Sequence, residues 1–287
     1  MKPAPFTYHR AGSVGEAVAL LAEFASNEQG DERGEAKILA GGLSLVPMMN
    51  FRLARPSALV DISRIGGLSY LRVGADGLRI GALTTHRTIE MSALPGFGVL
   101  PRAARWIGHY PVRARGTFGG SIAHADPASE WCLLAVLLDA LIVITGPARD
   151  RTIEAAEFFQ GYYTTALEHD EMVTEIWFPR PASKTAFTEF AVRQGDFAIV
   201  SAGVRLDVAA DVCRGGRVVL GGVGPLPVTV DVSPLRDQPA TAATWAAMGE
   251  HAAAQIDPPA DTHGDAAYRK RLAATLVSRA LAEAYAQ

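Results

Sequence analysis

Two glycine-containing segments carry the residues best suited to hold a ligand. The first is Gly41-Gly42-Leu43-Ser44, preceded by Ala40, and the second is Thr117-Phe118-Gly119-Gly120-Ser121. A diphosphate needs several backbone N–H donors at close range, and glycine permits this approach because it lacks Cβ and tolerates positive φ. We therefore interpret each segment as a candidate phosphate-binding turn, to which Ser44 adds a hydroxyl group.

Neither segment has the spacing of the common nucleotide fingerprints. They match neither G-x-G-x-x-G nor G-x-x-x-x-G-K-[ST], so nicotinamide and nucleoside-triphosphate binding lack their usual signal. Paired glycines also occur in turns for steric reasons alone, which makes each segment weak evidence by itself. Two such turns can instead hold one diphosphate from both sides. Arg113 and Arg115 flank the second segment and are either neutralising groups or solvated surface side chains.

The elements around the first segment favour a strand-to-helix turn. Residues 37–40 form a short apolar run, and residues 45–53 have helical character, so the glycines fall between them. In that position the start of the helix adds partial positive charge to the turn. Upstream, Ser13 and Glu16 form a capping box for a helix that runs to about Ala25, and a polar loop follows over residues 26–35.

The rest of the chain alternates strand and helix patterns. We predict strands at 59–62, 141–145 and 171–178, a hairpin at 71–80, and helices at 101–110 and 127–139. Residues 111–121 are interpreted as an irregular segment. Asp126 is expected to cap the helix that begins at Pro127, because aspartate is a favoured N-cap and no second titratable group is paired with it in sequence.

A domain boundary is predicted at Pro179-Arg180-Pro181, where two prolines interrupt regular structure. Beyond it the pattern changes to strands at 187–193, 199–208 and 217–221, followed by alanine-rich helices at 240–254 and 265–286. The sequence therefore predicts an α+β protein with domains at 1–179 and 180–287. The second domain combines a small antiparallel sheet with helices.

Composition excludes several classes of partner. With 27 basic and 30 acidic residues, a net charge of -3 and no long run of either sign, we expect no nucleic-acid partner. The longest apolar stretch, residues 131–144, is interrupted by Asp139 and is too short to span a bilayer, so no membrane insertion is predicted. The first residues lack the apolar region of a signal peptide, which predicts a cytoplasmic location.

Metal and cluster chemistry lack their usual ligands. Cys132 and Cys213 are the only cysteines and lie far apart, so this chain alone cannot ligate an iron–sulfur cluster through cysteines. The seven histidines show no H-E-x-x-H or comparable spacing, and no metal site is predicted. We nominate no side chain as a catalytic acid, base or nucleophile.

Seven stretches, taken in order, resemble one known family. The family is that of the FAD-binding medium subunits of molybdenum hydroxylases, which includes xanthine dehydrogenase and carbon monoxide dehydrogenase. The resemblance covers nearly the whole chain. The stretches that carry it are residues 40–47 (AGGLSLVP), 52–56 (RLARP), 59–62 (LVDI), 80–86 (IGALTTH), 115–127 (RGTFGGSIAHADP), 162–168 (YYTTALE) and 193–198 (RQGDFA).

The resemblance implies a PCMH-type FAD-binding domain of two subdomains, about 1–57 and 58–179, followed by a flavoprotein C-terminal domain. Glu130 stands where the family often has an aspartate near the adenosine of FAD. Phe197, after Gly195-Asp196, is a candidate neighbour of the isoalloxazine ring, with core packing equally open. The implied cofactor-binding residues are Ala40, Gly41, Gly42, Leu43, Ser44, Thr117, Phe118, Gly119, Gly120, Ser121, Glu130 and Phe197.

The implied function is electron transfer within a heterotrimer. In this family a large molybdopterin subunit hydroxylates the substrate, a small [2Fe-2S] subunit passes the electrons on, and the flavin delivers them to an external electron acceptor. Two other classes remain open on the residues alone. A stand-alone flavin oxidoreductase would bind its own substrate, and a non-catalytic nucleotide-binding module would use the same turns without redox chemistry.

Overall fold

The computed structural model describes residues 2–26, 36–179 and 184–287 of this chain. Residues 27–35 of the loop predicted at 26–35, and residues 180 and 181 of the predicted boundary, lie outside the described residues. The helices are α1 (Val14–Ser26), α2 (Leu45–Asn50), α3 (His86–Glu90), α4 (Val99–Ala104), α5 (Tyr110–Arg115), α6 (Phe118–His124), α7 (Glu130–Leu137), α8 (Ala155–Phe158), α9 (Ala242–Ala254) and α10 (Ala266–Tyr285), with a 3-10 turn at Ser233–Leu235. The strands are β1 (Thr7–Arg10), β2 (Ala36–Leu39), β3 (Ala58–Asp61), β4 (Leu71–Gly74), β5 (Gly77–Gly81), β6 (Leu141–Thr145), β7 (Asp150–Glu154), β8 (Phe159–Gly161), β9 (Thr164–Thr165), β10 (Met172–Phe178), β11 (Lys184–Phe190), β12 (Val200–Ala209), β13 (Val212–Gly221) and β14 (Val228–Val230).

A small parallel sheet opens the chain and carries the first glycine segment. Strand β3 lies between β1 and β2 and is parallel to both, so the sheet extends past residue 57 to Asp61. Helix α1 packs its apolar face on this sheet. At its start, the Ser13 hydroxyl accepts the N–H of Glu16, and the Glu16 carboxylate accepts the N–H of Gly12. The predicted capping box therefore forms, with Gly12 as the reciprocal donor.

The second sheet is antiparallel, in the order β4-β5-β10-β6-β7, and holds the largest core. Helix α7 lies in that core with all eight of its residues buried. Phe118, the first residue of α6, is fully buried, and its ring centroid lies 4.7 Å from that of Trp131 and 5.9 Å from that of Phe178. The second glycine segment is therefore anchored in the core.

The third sheet, β11-β12-β13-β14, is antiparallel and packs helix α10 on one face. Its other face covers α7. A Cβ added to Gly203 would lie 2.5 Å from Leu133 and 2.9 Å from Leu137, so this glycine permits the close approach of sheet and helix. Asp139, just after α7, pairs with Arg205 and Arg217 of the sheet.

The α+β organisation predicted from the sequence is confirmed, and the structure corrects several boundaries. The segment at 111–121 was predicted to be irregular but forms most of α5 and the start of α6, because Pro111 suits a first helical turn and Thr117 caps the next helix. The helix predicted at 101–110 ends at Ala104.

The predicted capping role of Asp126 is wrong. Helix α7 begins at Glu130 and its N-cap is Ser129, three residues later than predicted. The Asp126 carboxylate instead accepts the N–H of Ala128, and its carbonyl accepts the N–H of Ser129. These bonds make a turn that delays the helix, which is a common alternative use of aspartate.

Candidate functional site

The two glycine segments lie in direct contact. A Cβ added to Gly41 would overlap the carbonyl oxygen of Arg115 and come within 3.0 Å of the Cα of Gly116. Only glycine allows the two backbones to approach this closely. The turn after β2 and the connection from α5 to α6 therefore form one continuous surface, although they are far apart in the sequence.

The first segment presents amides without acceptors. Gly42 has φ of 75°, a left-handed conformation that favours glycine, and its carbonyl accepts the N–H of Val46 at the start of α2. In the described part of the chain, the backbone N–H groups of residues 41–44 meet no hydrogen-bond acceptor. Ser44 is exposed and its side chain makes no capping bond to α2. This turn is therefore a set of available donors.

The second segment uses its amides within the protein. Thr117 is the N-cap of α6, and the segment joins the chain before α3 through an isolated bridge between Thr85 and Thr117. Four amides find internal acceptors: Phe118 donates to the Thr84 carbonyl (2.8 Å), Gly119 to the Ala82 carbonyl (2.9 Å), Gly120 to the Thr117 hydroxyl (3.2 Å) and Ser121 to the Thr117 carbonyl (3.0 Å). The sequence-based prediction of equivalent donors in both segments therefore misses this difference.

Gly119 has a structural reason to be glycine. A Cβ at this position would lie 2.5 Å from the Cβ and 2.7 Å from the Cα of Ala82, inside the core. The Ser121 side chain also has a structural contact, since its hydroxyl lies within hydrogen-bond distance, 2.9 Å, of the hydroxyl of Ser129, the N-cap of α7. The second segment thus fixes α6 and α7 relative to the strand that ends at Gly81.

A cleft of about 170 Å³ lies where the segments meet. Its walls include Ala40, Gly41, Ser63, Thr85, Arg115 and Thr117. Ser63, Thr85 and Arg115 were not among the predicted site residues. Thr85 could have been found from the sequence, because it belongs to the stretch Thr84-Thr85-His86 that carries part of the family resemblance. The remaining walls are the apolar Leu83 and Ala114, so the groups suited to an anion are the hydroxyls and the Arg115 guanidinium.

The two flanking arginines have different roles. Arg113 donates to the Glu90 carboxylate at 2.9 Å and to the carbonyls of Ile107 and Gly108, so its guanidinium is engaged within the fold. Arg115 is exposed, lines the cleft, and makes no ion pair with the described residues. Arg115 is therefore the flanking cation that can meet a ligand.

The buried His86 packs behind the cleft wall, against Gly116 between Arg115 and Thr117. The Nδ1 of His86 accepts the indole N–H of Trp131 at 2.9 Å, which leaves the proton of the neutral ring on Nε2. Burial, together with the nearby charge of Arg113, lowers the pKa of His86 to about 4. The ring packs against Gly116, where a Cβ would lie 2.6 Å from Nε2. His86 is therefore uncharged at neutral pH and holds Gly116 close.

Glu130 and Phe197 are not part of the cleft wall. Glu130 is the first residue of α7, follows the Ser129 that contacts Ser121, and is 9 % exposed. Burial raises the pKa of Glu130 to about 7. A hydrogen bond from the backbone N–H of Glu130 opposes this rise, and the negative charge of Asp126 adds to it. Phe197 is 73 % exposed, so core packing does not explain it.

Other reactive groups offer little chemistry. Cys132 and Cys213 are buried free thiols, and burial raises the pKa of Cys132 to about 12. Across residues 2–26, 36–179 and 184–287, no three His, Cys, Asp or Glu side chains are grouped in a way that could hold a metal ion. No helix in these same ranges is long and apolar enough to cross a membrane.

Comparisons with known protein families cover nearly the whole chain. A family model described as the FAD binding domain in molybdopterin dehydrogenase matches residues 4–181. A second, described as the CO dehydrogenase flavoprotein C-terminal domain, matches residues 185–284. The two matched segments follow each other without overlap.

Individual relatives agree with these matches. The chain is 38% identical to the 6-hydroxypseudooxynicotine dehydrogenase complex subunit alpha of Paenarthrobacter nicotinovorans, over 99% of this chain and 96% of that protein. It is 36% identical to the carbon monoxide dehydrogenase medium chain of Hydrogenophaga pseudoflava, over 100% and 99%. The crystal structure of quinoline 2-oxidoreductase from Pseudomonas putida 86 contains a chain with a TM-score of 0.93 and 32% identity, over 99% of this chain and 98% of that chain.

Proposed function

Because the chain belongs to the family of FAD-binding medium subunits of molybdenum hydroxylases, we propose that it carries electrons from an iron–sulfur partner to an external acceptor. It is an oxidoreductase subunit and its cofactor is FAD. The observation that carries the proposal is the contact between the two glycine segments, which builds a cleft beside unengaged amides.

The residues present fit a diphosphate in this cleft. The amides of the first turn meet no acceptor among the described residues, and Arg115 adds an exposed positive charge. Charge-assisted bonds from such donors to phosphate are stronger than neutral ones. From the residues that the resemblance implies, we propose FAD contacts for Ala40, Gly41, Gly42, Leu43, Ser44, Thr117, Gly120, Ser121, Glu130 and Phe197, whereas buried Phe118 and Gly119 act by supporting the cleft wall from the core. Within that set, the first turn supplies donors and the second segment supplies the wall.

The chemistry comes from the cofactor and the positioning from the protein. FAD supplies, when bound, a ring system that takes up electrons singly or in pairs. The chain's own residues bind the diphosphate and leave no room for a side chain at Gly41. Burial keeps the ring of His86, which packs against Gly116, uncharged. No side chain of the cleft is assigned a proton-transfer step.

The partners follow from the kind of subunit this is. Its relatives include a medium chain and a subunit of a dehydrogenase complex, so the family works in multi-subunit enzymes. We propose a large molybdopterin subunit and a small [2Fe-2S] subunit as partners, in a heterotrimer. Two buried, separate cysteines support this division of labour, since cluster ligands must come from another chain.

We further propose the division into an FAD-binding domain at 1–179 and a C-terminal domain at 180–287. The separate sheets of the two parts support it, as do the two family matches. The proposal also places the complex in the cytoplasm and includes no nucleic-acid partner. The balanced charge and the buried free thiols support these two points.

Purification of the tagged chain from its own organism at low salt tests the assembly. Two further polypeptides should accompany the chain, and metal analysis should find molybdenum and iron in near-stoichiometric amounts with FAD. Substrate should reduce the flavin in this complex and leave the flavin of the lone chain oxidised. Substrate-dependent reduction of the lone, metal-free chain would instead establish a stand-alone flavin oxidoreductase.

A further inference from the structure

Two buried carboxyl groups lie between α7 and the C-terminal sheet. Glu189 of β11 is 7 % exposed, and Glu130 at the start of α7 is 9 % exposed. Both carboxyl oxygens of Glu189 are buried without a hydrogen-bond partner among the described residues, and so is the hydroxyl of Ser201. A buried carboxylate without partners carries a large desolvation cost, so the neutral form of Glu189 is favoured.

The direction of the Glu189 side chain follows from its neighbour. The hydroxyl of Thr188 donates to the carbonyl of Leu276 in α10 at 3.0 Å. Successive side chains of a strand point to opposite faces, so Glu189 points away from α10. The buried ring of Phe187, two residues earlier, agrees with this because it belongs to the core that contains α7. Glu189 therefore faces the α7 side of the sheet.

A row across three strands leads from Glu189 to the start of α7. Glu189 is directly opposite Ser201, and Ser201 is directly opposite Gly221, so all three lie on one face. A Cβ added to Gly221 would lie 2.5 Å from the Ser201 hydroxyl and 3.3 Å from Leu133 of α7. The absence of a side chain at Gly221 thus lets the first turn of α7, where Glu130 lies, approach this row.

Among the residues that the structure describes, no cation contributes to the pKa of either carboxyl. Burial is the main cause that raises the pKa of Glu189, to about 9, and the charge of Glu130 adds to it. Burial likewise raises the pKa of Glu130 to about 7, with Asp126 adding to it. Cys132 stays neutral.

Arg269 of α10 reaches the same end of the strands as Glu189, but it extends from the other face of the sheet, donates to the carbonyls of Ile199 and Gly222, and is paired with Asp261. The other arginines of the packed elements lie at the opposite end of the strands. Arg102 of α4 donates to the carbonyl of Thr185, and Arg205 is directly opposite Thr185, four residues along β11 from Glu189. Arg205 and its opposite residue Arg217 are both paired with Asp139, beyond the C-terminal end of α7. The charges of Arg205 and Arg217 are therefore balanced by Asp139 at the C-terminal end of α7, away from Glu130 at its start.

We propose that Glu189 is the proton-holding partner of Glu130: Glu189 stays protonated at neutral pH, so that Glu130 is the carboxyl of the pair that ionises. The consequence for ligand binding rests on the proposed function. Ionised Glu130 is then the form that accepts a hydrogen bond from a ribose hydroxyl of FAD, while neutral Glu189 spares it the repulsion of a second charge. Glu189 acts through Glu130 and is a positioning residue.

The pair makes stability depend on pH in a defined direction. In the unfolded chain both glutamates titrate near the ordinary value of about 4.3. Since folding raises both pKa values, the stabilising contribution is complete below that value and is lost as pH rises through about 7 and then about 9. The midpoint of thermal unfolding should therefore fall across this range.

Glu189→Gln removes the upper titration and keeps the shape of the side chain. We expect the fall in Tm between about pH 6 and about pH 9 to shrink by roughly three quarters relative to wild type, because Glu130 contributes only up to about pH 7 and Glu189 up to about pH 9. Glu157→Gln, which changes an exposed carboxylate on α8, should follow the wild-type curve and serves as the matched control. Equal slopes in wild type and Glu189→Gln would overturn the proposal.

FAD titrations separate this inference from the proposed function. Wild-type affinity should rise about tenfold as pH passes about 7, Glu189→Gln should keep that rise, and Glu130→Gln should abolish it. A rise that persists in Glu130→Gln would refute the link to ribose. The Tm comparison is also made on the FAD-free chain and does not depend on FAD binding. If the chain binds no FAD, the proposed function is refuted, but the Tm comparison still tests the pairing of Glu130 with Glu189.

Infrared difference spectra of the wild-type chain need no variant. The carbonyl band of a protonated carboxylic acid should persist at neutral pH and disappear only as the solution becomes alkaline. Absence of that band at neutral pH would show both glutamates ionised and would overturn the proposal, even if Glu189→Gln failed to fold.

Discussion

The two glycine segments have similar residues but opposite roles in the fold. The turn at Gly41-Gly42 is half-buried and leaves its amides without acceptors among the described residues, whereas the segment from Thr117 to Ser121 directs its amides to internal carbonyl and hydroxyl groups. The first is built around positive φ at Gly42, and the second around the close contact of Gly119 with Ala82. Glycine thus provides donors in one place and packing space in the other.

The comparison teaches that a glycine pair does not by itself identify a phosphate-binding turn. What distinguishes the two segments is whether a neighbouring strand already accepts their hydrogen bonds. Residues 82–84 lie beside the second segment, while the first turn faces the cleft. Substitutions should therefore affect FAD binding and stability in different proportions at the two sites.

Gly119→Val should have the largest effect, and chiefly on the fold. The new side chain would clash with Ala82 in a core that has no room, at a cost of about 3 kcal/mol or more. Denaturant unfolding of the FAD-free chain measures it. Gly15→Ala, on the exposed face of α1 with nothing within 4 Å of the new Cβ, is the control and should be neutral or slightly stabilising. Wild-type stability in Gly119→Val would remove the contrast between the segments.

Gly42→Ala should act mainly on the cofactor. Positive φ costs an alanine about 1 to 2 kcal/mol, and distortion of the turn should lower FAD affinity by roughly tenfold to a hundredfold. Gly67→Ala is the matched control, because Gly67 also has positive φ but no atom within 4 Å of the new Cβ and no place in the cleft wall. It should lose similar stability and retain FAD. Equal loss of FAD in both variants would mean that strain alone explains the result.

Thr117→Ala should produce a smaller loss in stability. Removal of the hydroxyl leaves the N–H of Gly120 without its capping acceptor, which costs about 1 kcal/mol. Thr117→Ser keeps the acceptor and should recover most of that loss. Thermal unfolding of the three proteins compares them, and identical midpoints for alanine and serine would argue against a capping role.

Arg115→Gln should have the smallest effect and should act on FAD alone. Because this side chain is exposed, its attraction for a diphosphate is screened, and we expect about a threefold to tenfold loss of affinity that diminishes at high salt. Arg113→Gln provides the contrast, since its guanidinium serves Glu90 and two carbonyls, and it should lower stability instead. The same outcome for both variants would contradict the distinction between the two arginines.

Local patterns in the sequence predicted much of the fold. The strand-to-helix turn at Gly41-Gly42, the hairpin before Gly81 and the two C-terminal helices each follow from short-range signals, and the structure confirms them. The errors arose where a long-range contact decided the outcome. Residues 111–121 were predicted to be irregular because they are rich in arginine and glycine, whereas the bridge from Thr85 that helps to position Thr117 is absent from any local window.

The candidate site shows the same limit. The spacing of Gly119 and Gly120 does not reveal that Ala82 and Thr84 accept hydrogen bonds from this segment. Likewise, no sequence window contains both Glu130 and Glu189, which lie 59 positions apart and face each other only through packing of the sheet on α7. Residue type indicated the chemistry of the site, but three-dimensional contacts decide which groups are available.

The proposed role as an electron-transfer subunit is tested by following electron delivery to the flavin. The chain loaded with FAD would be mixed anaerobically with its own iron–sulfur partner, reduced beforehand and freed of reductant, while the flavin absorbance is followed by stopped flow. This partner should bleach the flavin rapidly, and an unrelated reduced two-iron ferredoxin should bleach it much more slowly. A flavin that stays oxidised in a stable complex with the reduced partner would contradict the proposed role.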